Sequence, residues 1–314
     1  MKMIKSTLSL LAAIIIFASC NQFQKSPSGM PYKITKGSSK ELLKHGQFVK
    51  LHIEYKLKSK DTVLNTSYGH IPMYFYLDTA RLGKYTFTEV ITKCAPGDKM
   101  EFSLSIDSLK KMGMIEFNEV FKTGDFINGK LEVIASFAKE DLVKADYEKE
   151  VEKEKATEIE QVKKYAASKN MKTVSTKSGA LVEITNPGTG QKADSGYQVS
   201  VMYRGYFADK DGKEFDANMG KPAPDNKPID VIIGQHGVIP GWEEGLTFFA
   251  KGGKGRIVVP SFLGYGPQGR APAIGPFANL CFDVEIVDVK LAPPPPPAPA
   301  GAGMPGMPGG APGQ

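Results

Sequence analysis

VSVMYRGYFADKDGKEFDANMG (199–220), KPIDVIIGQHGVIPGWEEGLTFFAKGG (227–253) and PSFLGYGPQGRAPAIGPFANLCFDVEIVDV (260–289) carry the reading of the fold. Alternating apolar residues predict strands over 199–207 and 279–289. DKDG (209–212) is a hairpin turn whose glycine supplies the permissive backbone. PIDVIIG (228–234) and RIVVP (256–260) read as further strands. Between them, Pro240 and Gly241 precede WEEGLTFF, a short helix with proline in its first turn and Glu243 and Glu244 at the favourable end of the dipole. It carries the single tryptophan, Trp242. Tyr203, Phe215, Tyr265 and Phe282 lie on separate segments that can converge on it, with Asp216 directly after Phe215. LVEIT (181–185) adds a strand, so 178–289 is an α+β unit of five or six strands and one short helix.

A second copy precedes it. SGMPYKIT (28–35) echoes SGALVEIT (178–185), and APGDK (95–99) echoes AKGGK (250–254). EYKLKSKDTVLNTS (54–67) echoes MYRGYFADKDGKEFDANM, which sets Tyr55 opposite Tyr203. The spacing of about 150 residues indicates tandem duplication of a domain large enough for its own core. The copies diverge at the convergent aromatics. Leu64-Asn65 stands opposite Phe215-Asp216, Phe87 opposite Trp242, and Lys110 nearest to Tyr265.

VMYRGYF, GKEFDAN, VIPGWEEGL, FLGYG and LCFDVEI, in this order and spacing, make residues 178–290 resemble an FKBP-type peptidyl-prolyl cis-trans isomerase. The first copy resembles a degenerate FKBP-like domain. The resemblance implies an α+β fold with two FKBP-like domains. Each is a twisted antiparallel sheet wrapped around a short helix, and a charged helix joins them. It implies a proline-binding pocket floored by Trp242 and an isomerase needing neither cofactor nor metal. It gives Tyr203, Phe215, Asp216, Trp242 and Tyr265 catalytic places, and Val231, Val238, Ile239, Ile274 and Phe282 places in substrate binding. In the family, the backbone N–H at the Ile239 position and the hydroxyl at the Tyr265 position bond to ligand. Ile229, Arg270 and Gly275 depart from common family residues around the pocket mouth. The reading that competes with an enzyme is a chaperone or assembly factor that grips proline segments without catalysis.

The rest of the chain sets the context. Lys2 and Lys5 precede an apolar run from Leu8 to Phe17 that is short for a membrane span, as in a secretion signal. It ends in Phe17-Ala18-Ser19-Cys20, which resembles a bacterial lipobox despite Phe17, and marks Cys20 for lipidation. The expected location is the cell envelope, lipid-anchored, at an outer membrane facing the periplasm. The expected order is a signal peptide 1–19, a tether 20–27, a first domain 28–137, a helical linker 138–170, an isomerase domain 171–292 and a disordered Pro/Gly-rich tail 293–314. The linker is rich in Glu and Lys, with a thin apolar stripe of Val151, Ile159, Val162 and Ala166. It reads as a mostly solvated helix. Net charge is +6, or +4 without residues 1–19, and no dense basic patch interleaves with aromatics, which sets nucleic acid aside. Cys94 and Cys281 sit in apolar patterns as packed hydrophobes. The expected partners are proline-containing unfolded or exported polypeptides, the membrane, and a second copy through the first domain or the linker helix.

Overall fold

The computed structural model describes residues 22–209 and 211–294. Cys20, the signal segment and the tail beyond residue 294 lie outside the described residues. The chain divides into two compact units between Glu154 and Lys155.

In the first unit, the strands are β1 (Gln24–Lys25), β2 (Pro31–Thr35), β3 (Phe48–Leu57), β4 (Thr62–Thr66), β5 (Met73–Tyr76), β6 (Lys99–Ser105) and β7 (Phe126–Phe137). They form one antiparallel sheet in the order β1-β2-β6-β7-β3-β4, with β5 also on β3. A 3-10 segment, Phe87–Lys93, and the helix α1 (Ile106–Lys111) complete it. The sequence reading missed α1, a helix of six residues capped by Ser105.

The long helix α2 (Glu140–Ser168) follows, then β8 (Thr173–Ser175), β9 (Leu181–Asn186), β10 (Thr189–Lys192), β11 (Tyr197–Phe207), β12 (Glu214–Ala217) and β13 (Ile229–Ile232). The helix α3 (Pro240–Leu246), β14 (Ala250–Lys251), β15 (Lys254–Val259) and β16 (Leu280–Leu291) close the second unit. Its main sheet runs β12-β11-β16-β15-β9-β8, with β13 also on β11. Read from the opposite edge, this is the order of the first sheet, so the repeat seen in the sequence is a repeat of topology.

Each sheet buries one face, as the alternation of its strands requires. Val49, Leu51, Ile53, Phe102, Leu131 and Val133 fill the first core. Val199, Val201, Leu246, Phe249, Ile257, Phe282, Val284 and Ile286 fill the second. α3 lies close on β15 because Gly245 faces Ile257, where a Cβ would come within 2.6–2.9 Å of that side chain. Cys94 and Cys281 are both buried and free, and burial pushes their thiols up to about 12 and about 11.

α2 is more than the solvated spacer its composition suggests. Its first half holds the first unit through charge. Lys50 Nζ donates to Asp146 at 2.7 Å and Glu150 at 2.8 Å, and the Tyr74 hydroxyl donates to Asp146 at 2.5 Å. Burial alone would lower the Lys50 pKa; these partners outweigh it and raise it. Its second half packs Val162, Tyr165 and Ala166 against Leu181, Val258 and Cys281 of the second unit. There Glu158, 2% exposed, accepts from the Ser261 hydroxyl (2.7 Å) and the Phe262 N–H (2.8 Å). Gln161 accepts from Asn279 at 2.8 Å, and Asn279 accepts from the Ser261 N–H at 2.9 Å. The helix thus clamps both ends of the 261–279 loop. The thin stripe of Val162 and Ala166 marks the packed face, but the clamp on the loop is made by carboxylate and amide groups that apolar periodicity does not register.

Two predictions follow from these contacts. Glu158→Ala leaves a buried hydroxyl and a buried N–H without their acceptor and should cost about 2 kcal/mol. Denaturant unfolding of the full chain should show it as an earlier transition, which Glu158→Gln restores in part. The second concerns acid. Burial opposes ionisation of Asp98 and of the half-buried Asp146, but their hydrogen bonds, to Lys36, Gly37 and Ala95 and to Lys50 and Tyr74, outweigh it and hold both below the ordinary carboxylate range. Their contribution is complete above the unfolded aspartate value of about 3.9 and is lost as pH falls through the folded values. Unfolding midpoints measured from pH 7 to pH 3 should fall steeply below about pH 4, with a shallower fall in Asp98→Asn.

Candidate functional site

The second unit opens a cleft of about 200 Å³ at one end of its sheet. That is below the usual range for drug-sized ligands, and suits one small ring. Its floor is Trp242, 3% exposed, on the first turn of α3. Pro240 starts that helix after the extended residue Ile239. Glu243, read from sequence as dipole complement, has a more specific task. It accepts from the Gly234 N–H at 2.5 Å and lies 3.2 Å from His236 Nδ1, pinning the turn that leads to Gly237, Val238 and Ile239 on the cleft wall.

The walls are aromatic for a reason of register. Gly205 of β11 pairs with Phe282 of β16. A Cβ on Gly205 would lie 2.8–2.9 Å from the rings of Phe215 and Phe282, so glycine lets both rings lie over the strand. Phe215 and Phe282 meet edge to face at 5.8 Å, Trp242 and Phe282 at 5.7 Å, and Tyr203 and Trp242 edge to face at 5.6 Å. Such offset contacts are the favourable aromatic geometries.

The polar edge is sparse. The Tyr203 hydroxyl donates to Asp216 at 2.7 Å. Burial, then this bond, raises the Tyr203 pKa and keeps the phenol protonated. Asp216 therefore acts as an acceptor that fixes Tyr203. Tyr265 stands at the start of the 3-10 turn Gly266–Gln268, on the loop anchored by Glu158. The Ile239 N–H makes no hydrogen bond among the described residues, and the buried Trp242 Nε1 has none either.

Of the residues singled out from sequence, Tyr203, Phe215, Asp216, Val238, Ile239, Trp242, Tyr265 and Phe282 line this cleft together. Two do not. Val231 sits two residues along β13 from Ile229, deeper under the sheet, and is core. Ile274 exchanges two backbone hydrogen bonds with Arg270, and its side chain is buried in the same core. Ile229 and Arg270, noted only as departures, are on the wall. So is Gly237, which has no side chain to signal it. Among the described residues the lining holds no Ser, Cys, Lys or His. What it can do is bind an apolar ring and donate a hydrogen bond beside it.

The first unit shows what happens to the same place without these residues. Both sheets carry a bulge at the same point, between Lys50 and Leu51 and between Ser200 and Val201. Counting from it, Tyr55 matches Gly205 and Ile53 matches Tyr203, which corrects the sequence pairing of Tyr55 with Tyr203 by two residues. Two residues is one full period of a strand, so the alternation gave no warning. Asn65 matches Asp216, as expected, because it pairs with Tyr55 as Asp216 pairs with Gly205. Large and small have traded places: Gly205 faces Phe282, while Tyr55 faces Gly129. The ring of Phe102, 2% exposed, lies over Gly129, where a Cβ would be 2.1–2.5 Å from it. It meets Tyr55 at 5.7 Å and Phe87 at 6.1 Å. Phe102 thus lies over the strand where Phe282 stands in the second unit.

Comparison with known proteins agrees with this geometry. Residues 189–287 match the family model described as FKBP-type peptidyl-prolyl cis-trans isomerase. The chain is 40% identical over 149 residues to the FKBP-type peptidyl-prolyl cis-trans isomerase FkpA of Escherichia coli strain K12, covering 48% of this chain and 51% of FkpA. It therefore spans about half the length of that relative. It is 34% identical over 190 residues to a probable FKBP-type peptidyl-prolyl cis-trans isomerase of Haemophilus influenzae, covering 59% of this chain and 71% of the relative. An FK506-binding protein of Neisseria meningitidis serogroup B is 33% identical over 111 residues, which cover 35% of this chain and 96% of that protein. The chain belongs to the FKBP-type peptidyl-prolyl cis-trans isomerase family.

Proposed function

We propose that the second unit catalyses cis–trans isomerisation of X-Pro bonds in exported polypeptides, held at the cell envelope by a lipid on Cys20. The observation that carries this is the cleft itself: an apolar floor of Trp242, aromatic walls, and one hydroxyl and one free N–H beside them. The uncatalysed rotation is slow because the amide C–N bond has partial double-bond character, with a barrier of about 18–20 kcal/mol. In the planar amide the nitrogen lone pair is delocalised into the carbonyl. In the twisted transition state that conjugation, and the charge separation it brings, is lost. An apolar, water-poor cleft favours the less polar twisted form. The ring rests on Trp242 while the Tyr265 hydroxyl and the Ile239 N–H hold the flanking carbonyls. The aromatic walls keep water away from the amide. No nucleophile or proton transfer is required. Asp216 works through Tyr203, keeping the rim in one arrangement.

The first unit is, on this reading, a non-catalytic copy, with Ile53, Asn65 and Gly129 at the positions of Tyr203, Asp216 and Phe282. It is free to hold unfolded clients, which keeps a chaperone role alongside catalysis. The lipid would hold the protein at an outer membrane facing the periplasm, with residues 20–27 as tether.

A protease-coupled isomerisation assay on the full chain tests both parts. Tyr265→Phe removes one hydrogen bond, worth about 1 kcal/mol, and should lower kcat/KM about fivefold. Trp242→Leu should lower it further by removing the floor. Asp216→Asn combined with Trp242→Leu should bring the full chain to the uncatalysed rate, although the first unit is untouched. Unchanged rates in all three variants, or a residual rate traced to the first unit, would contradict this assignment. Loss of isomerisation with retained suppression of client aggregation would place the chaperone role outside the cleft.

A further inference from the structure

Arg270 brings to the cleft mouth a charge that twisting an amide does not need. It lines the cleft and is exposed. Its backbone is fixed, since its N–H donates to the Ile274 carbonyl at 2.8 Å and its carbonyl accepts from the Ile274 N–H at 2.9 Å. Its Nη1 donates to the Tyr265 hydroxyl at 3.3 Å, and the guanidinium lies over the Tyr265 ring at 5.8 Å from the centroid. The other three arginines, Arg81, Arg204 and Arg256, each pair with a carboxylate. Among the described residues Arg270 has no carboxylate within the 4.0 Å that defines such a pair. The facing anion, Asp216, is occupied by the Tyr203 hydroxyl at 2.7 Å. A cation on a fixed stretch of backbone, hydrogen-bonded to the hydroxyl that meets the substrate and without a carboxylate of its own within pairing distance, is placed to take an anion from the substrate.

We propose that Arg270 makes this enzyme favour an acidic residue, Asp or Glu, over a basic one immediately before the proline. The inference rests on the second unit being the isomerase. The residue before the proline owns the carbonyl that rotates. If that carbonyl accepts from Tyr265, it lies roughly 3 Å from the hydroxyl. The guanidinium is 3.3 Å from the same oxygen on the solvent side. A two- or three-atom acidic side chain from that residue therefore meets Arg270, whereas a lysine meets like charge. The contact is exposed to solvent, which limits the preference to a few-fold and makes it sensitive to salt.

The test uses the full chain and peptides Ala-X-Pro-Phe with X = Glu, Leu or Lys, comparing kcat/KM ratios within each protein so that any general loss of activity cancels. The expected Glu:Lys ratio is about fivefold to tenfold in low salt, shrinking towards one in 1 M NaCl. Arg270→Gln should bring the ratio to about one, and Arg270→Glu should invert it. Turnover of the Leu peptide with a Glu:Lys ratio near one in the unaltered protein overturns the preference alone. A preference that survives Arg270→Glu overturns the role of Arg270. No turnover of any peptide overturns the isomerase reading and this inference with it.

Discussion

The pairing of Gly205 with Phe282 is the constraint on which the second unit's site depends. A strand position without a side chain lets two rings, Phe215 and Phe282, lie across the sheet and meet Trp242 from α3. Any Cβ at 205 would collide with both. The first unit solves the same steric problem the other way round. Tyr55 faces Gly129, and the Phe102 ring lies over that glycine. One topology thus supports an open cleft or a filled core, according to which partner of a cross-strand pair is large.

Around this pair, polar groups position backbone more than they perform chemistry. Glu243 fixes the turn before α3, Glu244 accepts from Ser178, and Glu158 holds the start of the loop that presents Tyr265. Each is a carboxylate collecting N–H and O–H donors, the arrangement in which a buried charge is tolerated. Asp216 does the same for Tyr203 at the rim. Catalysis in such a site requires little more than a dry surface of the right shape, so the carboxylates serve shape.

α2 shows why composition misleads about burial. Its Glu/Lys-rich sequence reads as a solvated helix, yet Glu158 and Val162 are almost wholly buried. Its docking face joins a thin apolar stripe, Val162 and Ala166, to carboxylates that meet lysine, hydroxyl and backbone N–H groups, so the apolar pattern alone understates its burial. The first half of the same helix is held by Lys50 and Tyr74 in this way.

From sequence alone, the period-two strands, the short proline-led helix and the tandem repeat were legible, because burying one face of a sheet imposes alternation and a glycine-rich turn marks each end. Eight of the ten residues singled out for the site do line one cleft, since aromatics and a lone carboxylate at strand ends are conspicuous in one dimension. Val231 and Ile274 lie in the core beside the cleft, since depth below a surface is not a property of alternation. The register between the two copies slipped by two residues, invisible to a pattern whose period is two. Only the tertiary structure decided which side chains reach the cleft, that Phe102 lies over Gly129 in the first unit, and that a charged helix anchors the loop of Tyr265. These are contacts between residues as far apart in the chain as Glu158 and Ser261, and their energies depend on distance in space.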